Sequence, residues 1–145
     1  MQKVDFGDAV ADAVSKDPRF PAEAYHFLQA VLADALHKMR KDSGGEDRHV
    51  SGGELLEAFR RCALRDYGPM ARTVLDEWGV RRCENVGEMV FNLIEVGAFG
   101  RSDTDRREDF AEGYDFHEAF VIPFLPASKR ATADGGGGRT ARLRP

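Results

Sequence analysis

Asn85-Val-Gly-Glu-Met-Val-Phe-Asn-Leu-Ile-Glu-Val-Gly97 is the stretch whose reading decides the fold. On a wheel of about 3.6 residues per turn, Val86, Met89, Val90, Leu93, Ile94 and Val96 cover nearly half the circumference. Glu88, Asn92 and Glu95 share the opposite side, with Phe91 at one edge of the apolar arc. So wide an arc needs partners on more than one side, which places this helix at the centre of the span 48–121. Asn85-Val-Gly-Glu88 has the form of a capping box that starts the helix, and Gly97 can end it.

Upstream, Ser51-Gly-Gly-Glu54 is a stronger capping box. The Ser51 hydroxyl is expected to take the Glu54 N–H, and the Glu54 carboxylate to return to the Ser51 N–H. Val50 and Leu55 occupy the two positions of a hydrophobic staple, so a helix starts here. Leu55, Leu56, Phe59, Cys62, Ala63 and Tyr67 form its buried stripe. Gly68-Pro69 breaks it and begins a further helix, with Pro69 at the first position and Met70, Thr73, Val74 and Trp78 along one face. Gly79 followed by Val80 reads as a left-handed cap with its apolar contact.

Two helices precede this unit. Asp5 caps one that runs to about Lys16, with Phe6, Val10, Ala13 and Val14 on one face, and Asp17-Pro18 ends it. Pro21 opens the next, whose stripe is Tyr25, Leu28, Leu32, Leu36 and Met39, widened by Phe27 and Val31. After Gly97 the period changes. Ala98 to Ser102 reads as a strand, Asp103 to Glu108 as a charged turn, and Phe110 to Phe116 as a returning strand. Asp115-Phe-His-Glu118 offers the alternative of a single capped helical turn. Phe110, Tyr114, Phe116, Phe120 and Phe124 are too apolar to be left in water, so the segment is expected to pack on the helices.

The fold expected from this order is mainly α with an α+β element. It is a helical domain built on a winged helix-turn-helix-like unit, with helices 51–66, 69–78 and 85–97 and a C-terminal β-hairpin, 98–116, as the wing. Two extra N-terminal helices, within 5–41, pack on it. Residues 1–126 read as a single globular domain. Residues 127–145, with Gly135 to Gly138 consecutive, read as a disordered glycine- and arginine-containing tail.

The motifs resemble those of a family of small uncharacterised proteins reported mainly from planctomycete and verrucomicrobial bacteria. The resemblance rests on Asp17-Pro-Arg-Phe20, His49-Val-Ser-Gly-Gly-Glu-Leu-Leu56, Tyr67-Gly-Pro-Met70 and Glu77-Trp-Gly-Val80. Gly87-Glu-Met-Val-Phe-Asn92, Arg107-Glu-Asp-Phe110 and Tyr114-Asp-Phe116 continue it, so it covers about 5–126. It implies a family with no assigned activity, and therefore supplies no catalytic residues.

No motif in the chain declares an enzyme. His26 and His37 lie about three helical turns apart, too far to chelate one ion. His49 beside Asp47 and His117 beside Asp115 each lack the further ligands of a metal site. The carboxylates Asp103, Asp105, Glu108, Asp109 and Glu112 lack the spacing of a calcium loop. Cys62 and Cys83 read as reduced packing residues, and no phosphate-cradling loop or nucleophile elbow is present. The reading assigns no catalytic, metal or cofactor-binding residue and no cofactor. With no apolar run near the roughly 20 residues of a membrane span and no signal-like N-terminus, a cytoplasmic protein without membrane contact is expected.

Charge ranks the remaining classes. The net charge of −4 is uneven: residues 84–120 hold 10 acids and 3 bases, whereas 51–83 hold 5 and 6. A protein-interaction or regulatory module is therefore favoured, presenting Glu88, Asn92, Glu95, Asp103, Asp105, Glu108 and Asp109 to a basic or mixed partner. The alternative is a nucleic-acid binder with Arg60, Arg61, Arg65, Arg81 and Arg82 on phosphates, joined by Arg139, Arg142 and Arg144 of the tail. The usual winged-helix docking is disfavoured, because residues 85–97 carry no Lys or Arg.

Overall fold

A computed structural model of the chain describes residues 5–42, 44–45, 50–100, 107–111 and 113–126. It is mainly helical. Helix α1 spans Phe6–Lys16, α2 Ala22–Asp42, α3 Gly52–Tyr67, α4 Ala71–Glu77, α5 Cys83–Glu95 and α6 Phe116–Phe120. Short 3₁₀ turns occupy Gly68–Met70, Arg107–Phe110 and Ile122–Phe124.

Local chemistry accounts for most of the boundaries. Asp5 Oδ2 accepts from the Asp8 N–H at 3.1 Å and starts α1. Both bonds of the Ser51 box are made: Glu54 N–H donates to Ser51 Oγ at 3.1 Å, and Ser51 N–H to Glu54 Oε1 at 2.9 Å. Helix α4 ends in a paired cap. The Val80 N–H donates to Leu75 O and the Gly79 N–H to Asp76 O, with Gly79 at φ 76°. Pro21 stands just before the first residue of α2, with its carbonyl accepting from the Ala24 N–H.

Three expectations are corrected. Helix α5 begins at Cys83, two residues before the proposed Asn85 cap. Asn85 lies inside the first turn and reaches backward, its Oδ1 accepting from the Arg81 and Arg82 N–H groups at 2.9 and 3.1 Å. It caps the same helix from the other side of the box. The face of α4 is also rotated from the expected one. Ala71 and Leu75 are buried, Val74 and Trp78 are half-buried, and Thr73 and Met70 are exposed. Ala71, Val74, Leu75 and Trp78 recur at the i, i+3, i+4, i+7 spacing, and that stripe sets the face α4 turns inward.

The third correction concerns the hairpin. No strand occurs among the described residues of 98–116. Of the proposed returning strand, Phe110–Phe116, the first residue ends a 3₁₀ turn, Arg107–Phe110, and the last begins α6, while the proposed charged turn, Asp103–Glu108, lies largely outside the described residues. The alternative reading of this part holds: Asp115 Oδ1 accepts from the His117 and Glu118 N–H groups and caps α6. A few local hydrogen bonds of this kind suffice to take residues away from a ladder. The tail, 127–145, lies outside the described residues.

One contiguous set of buried side chains links all six helices. Helix α5 packs on α1, on α3 and on the 107–110 turn, and α2 packs on α1 and α3. The aromatic segment returns to this core as expected for Phe110, Phe116 and Phe120, all buried, and for half-buried Tyr114, whose hydroxyl donates to Leu56 O at 2.7 Å. Phe124 departs from the expectation and is exposed. Cys62 and Cys83 are free and buried. Among the described residues no helix is long and apolar enough to cross a membrane.

The completed capping box gives a direct test. Ser51→Ala removes the acceptor of the Glu54 N–H and is expected to cost about 1 kcal/mol in chemical denaturation. An unchanged midpoint would show that the box adds nothing to stability.

Candidate functional sites

The polar side of α5 faces its own protein more than was expected. Asn92 Nδ2 donates to Asp17 Oδ2 at 2.9 Å and to the Tyr25 hydroxyl at 3.0 Å. Glu88 Oε1 accepts from Asn85 Nδ2 at 3.0 Å and from Arg19 Nη1 at 3.2 Å. Arg19 also grips Asp17 through Nε at 2.9 Å and Nη2 at 2.8 Å. These bonds tie the junction of α1 and α2 to α5. Of the three residues proposed to face a partner from α5, Glu88 and Asn92 are thus engaged internally, and Glu95 is exposed. Glu108 and Asp109 lie on the 107–110 turn, while Asp103 and Asp105 are outside the described residues.

Each of the five proposed phosphate-contacting arginines meets a carboxylate. Arg60 pairs with Glu57, and Arg61 with Asp34 at 2.8 Å. Arg65 lies 2.9 Å from Asp66 and 3.6 Å from Asp34. Arg81 lies 3.8 Å from Asp76, and Arg82 3.2 Å from Glu84. The structure divides them. Arg60, Arg61 and Arg65 follow one another along α3, whereas Arg81 and Arg82 precede α5 beside Arg72.

A groove of about 190 Å³ runs between α2, α3 and α5, lined by Leu36, Val50, Leu55, Ile94, Phe99 and Phe110 among others. A larger and more polar cleft, about 530 Å³, lies between α4, the start of α5 and the 111–117 segment. Arg72, Arg81, Arg82 and His117 line it, with Glu84 and Asp115. Sequence reasoning passed over Arg72 and His117 as members of a site, because nothing in their spacing links residue 72 to residue 117.

Neither cysteine is prepared for nucleophilic work. Burial pushes both thiols above their ordinary range. Cys83 Sγ exchanges two 3.4 Å hydrogen bonds with the Tyr114 backbone, donating to its carbonyl and accepting from its N–H. Burial likewise raises the Tyr114 phenol far above its usual value. Among the described residues no group of three or more His, Cys, Asp or Glu can hold a metal ion.

The Asp17 network generates a pH-dependent prediction. Arg19 holds the Asp17 carboxyl well below the usual carboxylate range, burial opposes this, and the Asn92 amide adds to it. A carboxyl with a lowered folded-state pKa contributes stability above its unfolded value of about 4, and that contribution is lost as pH falls toward the folded value. Asp17→Asn is expected to destabilise the protein by about 1–2 kcal/mol at pH 7, by loss of charge-assisted bonds. The penalty should shrink on going to pH 3. Urea melts of both proteins at the two pH values check this, and a penalty independent of pH would contradict the ionic reading.

Compared with protein-family models, curated proteins and solved structures, the chain matches none.

Proposed function

We propose that the protein is a non-enzymatic protein-interaction or regulatory module that presents an acidic surface. The observation that carries this reading is the groove between α2, α3 and α5. Leu32, Leu36, Val50, Ile94 and Phe99 line it and are all half-buried, so the groove keeps apolar area in contact with solvent. Acidic residues adjoin it. Asp109 lies beside Gly52, one of the lining residues, and Glu108 is exposed next to it. The occupant we assign is an amphipathic segment of another protein, with an apolar stripe flanked by Lys or Arg. Glu108 and Asp109 beside the groove supply the complementary charge. Membership of the planctomycete and verrucomicrobial family and a cytoplasmic location belong to the same proposal, and rest on the sequence alone. So does the helix-turn-helix-like view of α3, α4 and α5.

Co-purification from the native organism followed by reconstitution tests the reading. Leu36→Lys and Glu108→Lys should each weaken the reconstituted complex by about tenfold or more while the helical circular dichroism is retained. A protein partner held equally well by both variants would sink the groove. Recovery of nucleic acid in place of a protein would promote the alternative.

That alternative has less support. Duplex affinity comes largely from cations placed on phosphates. The five arginines proposed for this each face a carboxylate, and α5 carries no Lys or Arg. The chain truncated after Ser128 is expected to bind random duplex DNA at about 10⁻⁴ M or weaker at physiological salt, measured by fluorescence anisotropy. Micromolar binding abolished by changing Arg60, Arg61 and Arg65 to Glu would reverse the ranking.

A further inference from the structure

We propose that the segment Arg139-Thr-Ala-Arg-Leu-Arg144 of this same chain docks in the groove between α2, α3 and α5 and competes with the partner there, a regulation that rests on the groove being the partner site. Residues 127–145 hold five bases, Lys129, Arg130, Arg139, Arg142 and Arg144, against one acid, Asp134. Their single large apolar residue, Leu143, stands between two arginines. An apolar insert flanked by cations is what the groove selects. Half-buried Leu36, Val50, Ile94 and Phe99 line it, and exposed Glu108 and Asp109 adjoin it. An apolar cavity of about 150 Å³ admits benzene, so the groove's volume of about 190 Å³ admits one leucine side chain.

Chain length permits the contact. Residues 127–143 separate Pro126 from the end of Leu143, and seventeen residues extend to about 56 Å at roughly 3.3 Å each. A domain of roughly 120 residues has a radius of gyration of about 14 Å, so half its circumference is about 55 Å. Leu143 can therefore reach the groove from any exit point on the surface. Carboxylates elsewhere compete poorly for its arginines, because Asp34, Glu57, Asp66, Asp76 and Glu84 already face arginines nearby. Tethering makes a weak contact sufficient. A segment on a linker of this length meets its site at an effective concentration on the order of 1 mM. With an affinity in trans of about 0.5 mM, it would occupy the groove in most molecules and weaken any competitor about threefold.

A nitroxide attached to the isotopically labelled full chain through Thr140→Cys tests this by NMR, since Cys62 and Cys83 are buried and escape the label. Paramagnetic broadening is expected at the amides of Val50, Ile94, Phe99 and Phe110 and not along α4. Adding Leu143→Glu should abolish it, and so should Leu36→Lys. A synthetic peptide of residues 127–145 is the probe for competition. It should shift the same amides in the full-length Leu143→Glu chain, and bind the unaltered chain about threefold more weakly. Broadening spread evenly over the surface, or retained with Leu143→Glu, would overturn the proposal. So would equal broadening when labelled and spin-labelled chains are mixed, which would place the contact between copies. A protein partner lost with Leu36→Lys, in a chain whose groove shows no broadening, would leave the partner site standing and remove the self-competition alone. Broadening at the groove beside a partner indifferent to Leu36→Lys would sink the partner site, and the competition with it.

Discussion

The architecture depends on how Phe110 is seated. Its ring lies between two helices at positions where each offers only hydrogen. A Cβ on Gly87 of α5 would stand 2.7 Å from the Phe110 Cβ and Cγ, and a Cβ on Gly52 at the start of α3 would stand 2.9 Å from Asp109 Cβ and 3.4 Å from Phe110 Cζ. The same device recurs one turn further on. A side chain at Gly113 would strike Cys83 Sγ at 2.6 Å and Leu56 Cδ1 at 2.9 Å. Interiors are packed too densely to absorb such overlaps without moving backbone. These three glycines therefore let the segment after α5 lie directly on α3 and α5. Phe91 meets the Phe110 ring edge-to-face, and Tyr114, Phe116 and Phe120 form a second aromatic group behind it.

On another face of α5 the constraint is polar. Asp17, Arg19, Tyr25, Asn85, Glu88 and Asn92 form a connected set of hydrogen bonds that locks the α1–α2 junction against the helix. Tyr25 is fully buried within it, and burial raises its phenol. A buried hydroxyl without a partner is costly, so the Asn92 amide is structural before it is anything else. The consequence reaches function. The acidic surface proposed for partner recognition shifts away from Glu88 and Asn92 toward the 108–109 turn, beside the apolar groove.

Local signals were legible wherever a few neighbouring residues settle the outcome among themselves. The Ser51 box and the Gly79–Val80 cap each close their own hydrogen bonds within six residues, and the structure makes them as read; the Asp115 turn, offered only as the alternative to a strand, is made too. The apolar arc of α5 was legible too, because burial of so wide a face is demanded whatever surrounds it. Phase was harder. Helix α4 buries Ala71 and Leu75, flanked by Val74 and Trp78, a stripe one position round from the expected face of Met70, Thr73, Val74 and Trp78.

The sequence by itself determined a helical protein with a central α5, capped helices and an aromatic segment that must return to the core. These follow from periodicity and from the cost of leaving apolar area and helix-end N–H groups unsatisfied. Only the tertiary structure decided that the segment after α5 returns as turns and a short helix, because that depends on glycines in three separate elements meeting one ring or one thiol. It alone decided that Asn92 serves Asp17 and Tyr25, residues 75 and 67 positions away. And it alone assembled Arg72, Arg81, Arg82 and Tyr114 around one cleft, since charge and shape at a site arise from chain segments that share space without sharing a sequence pattern.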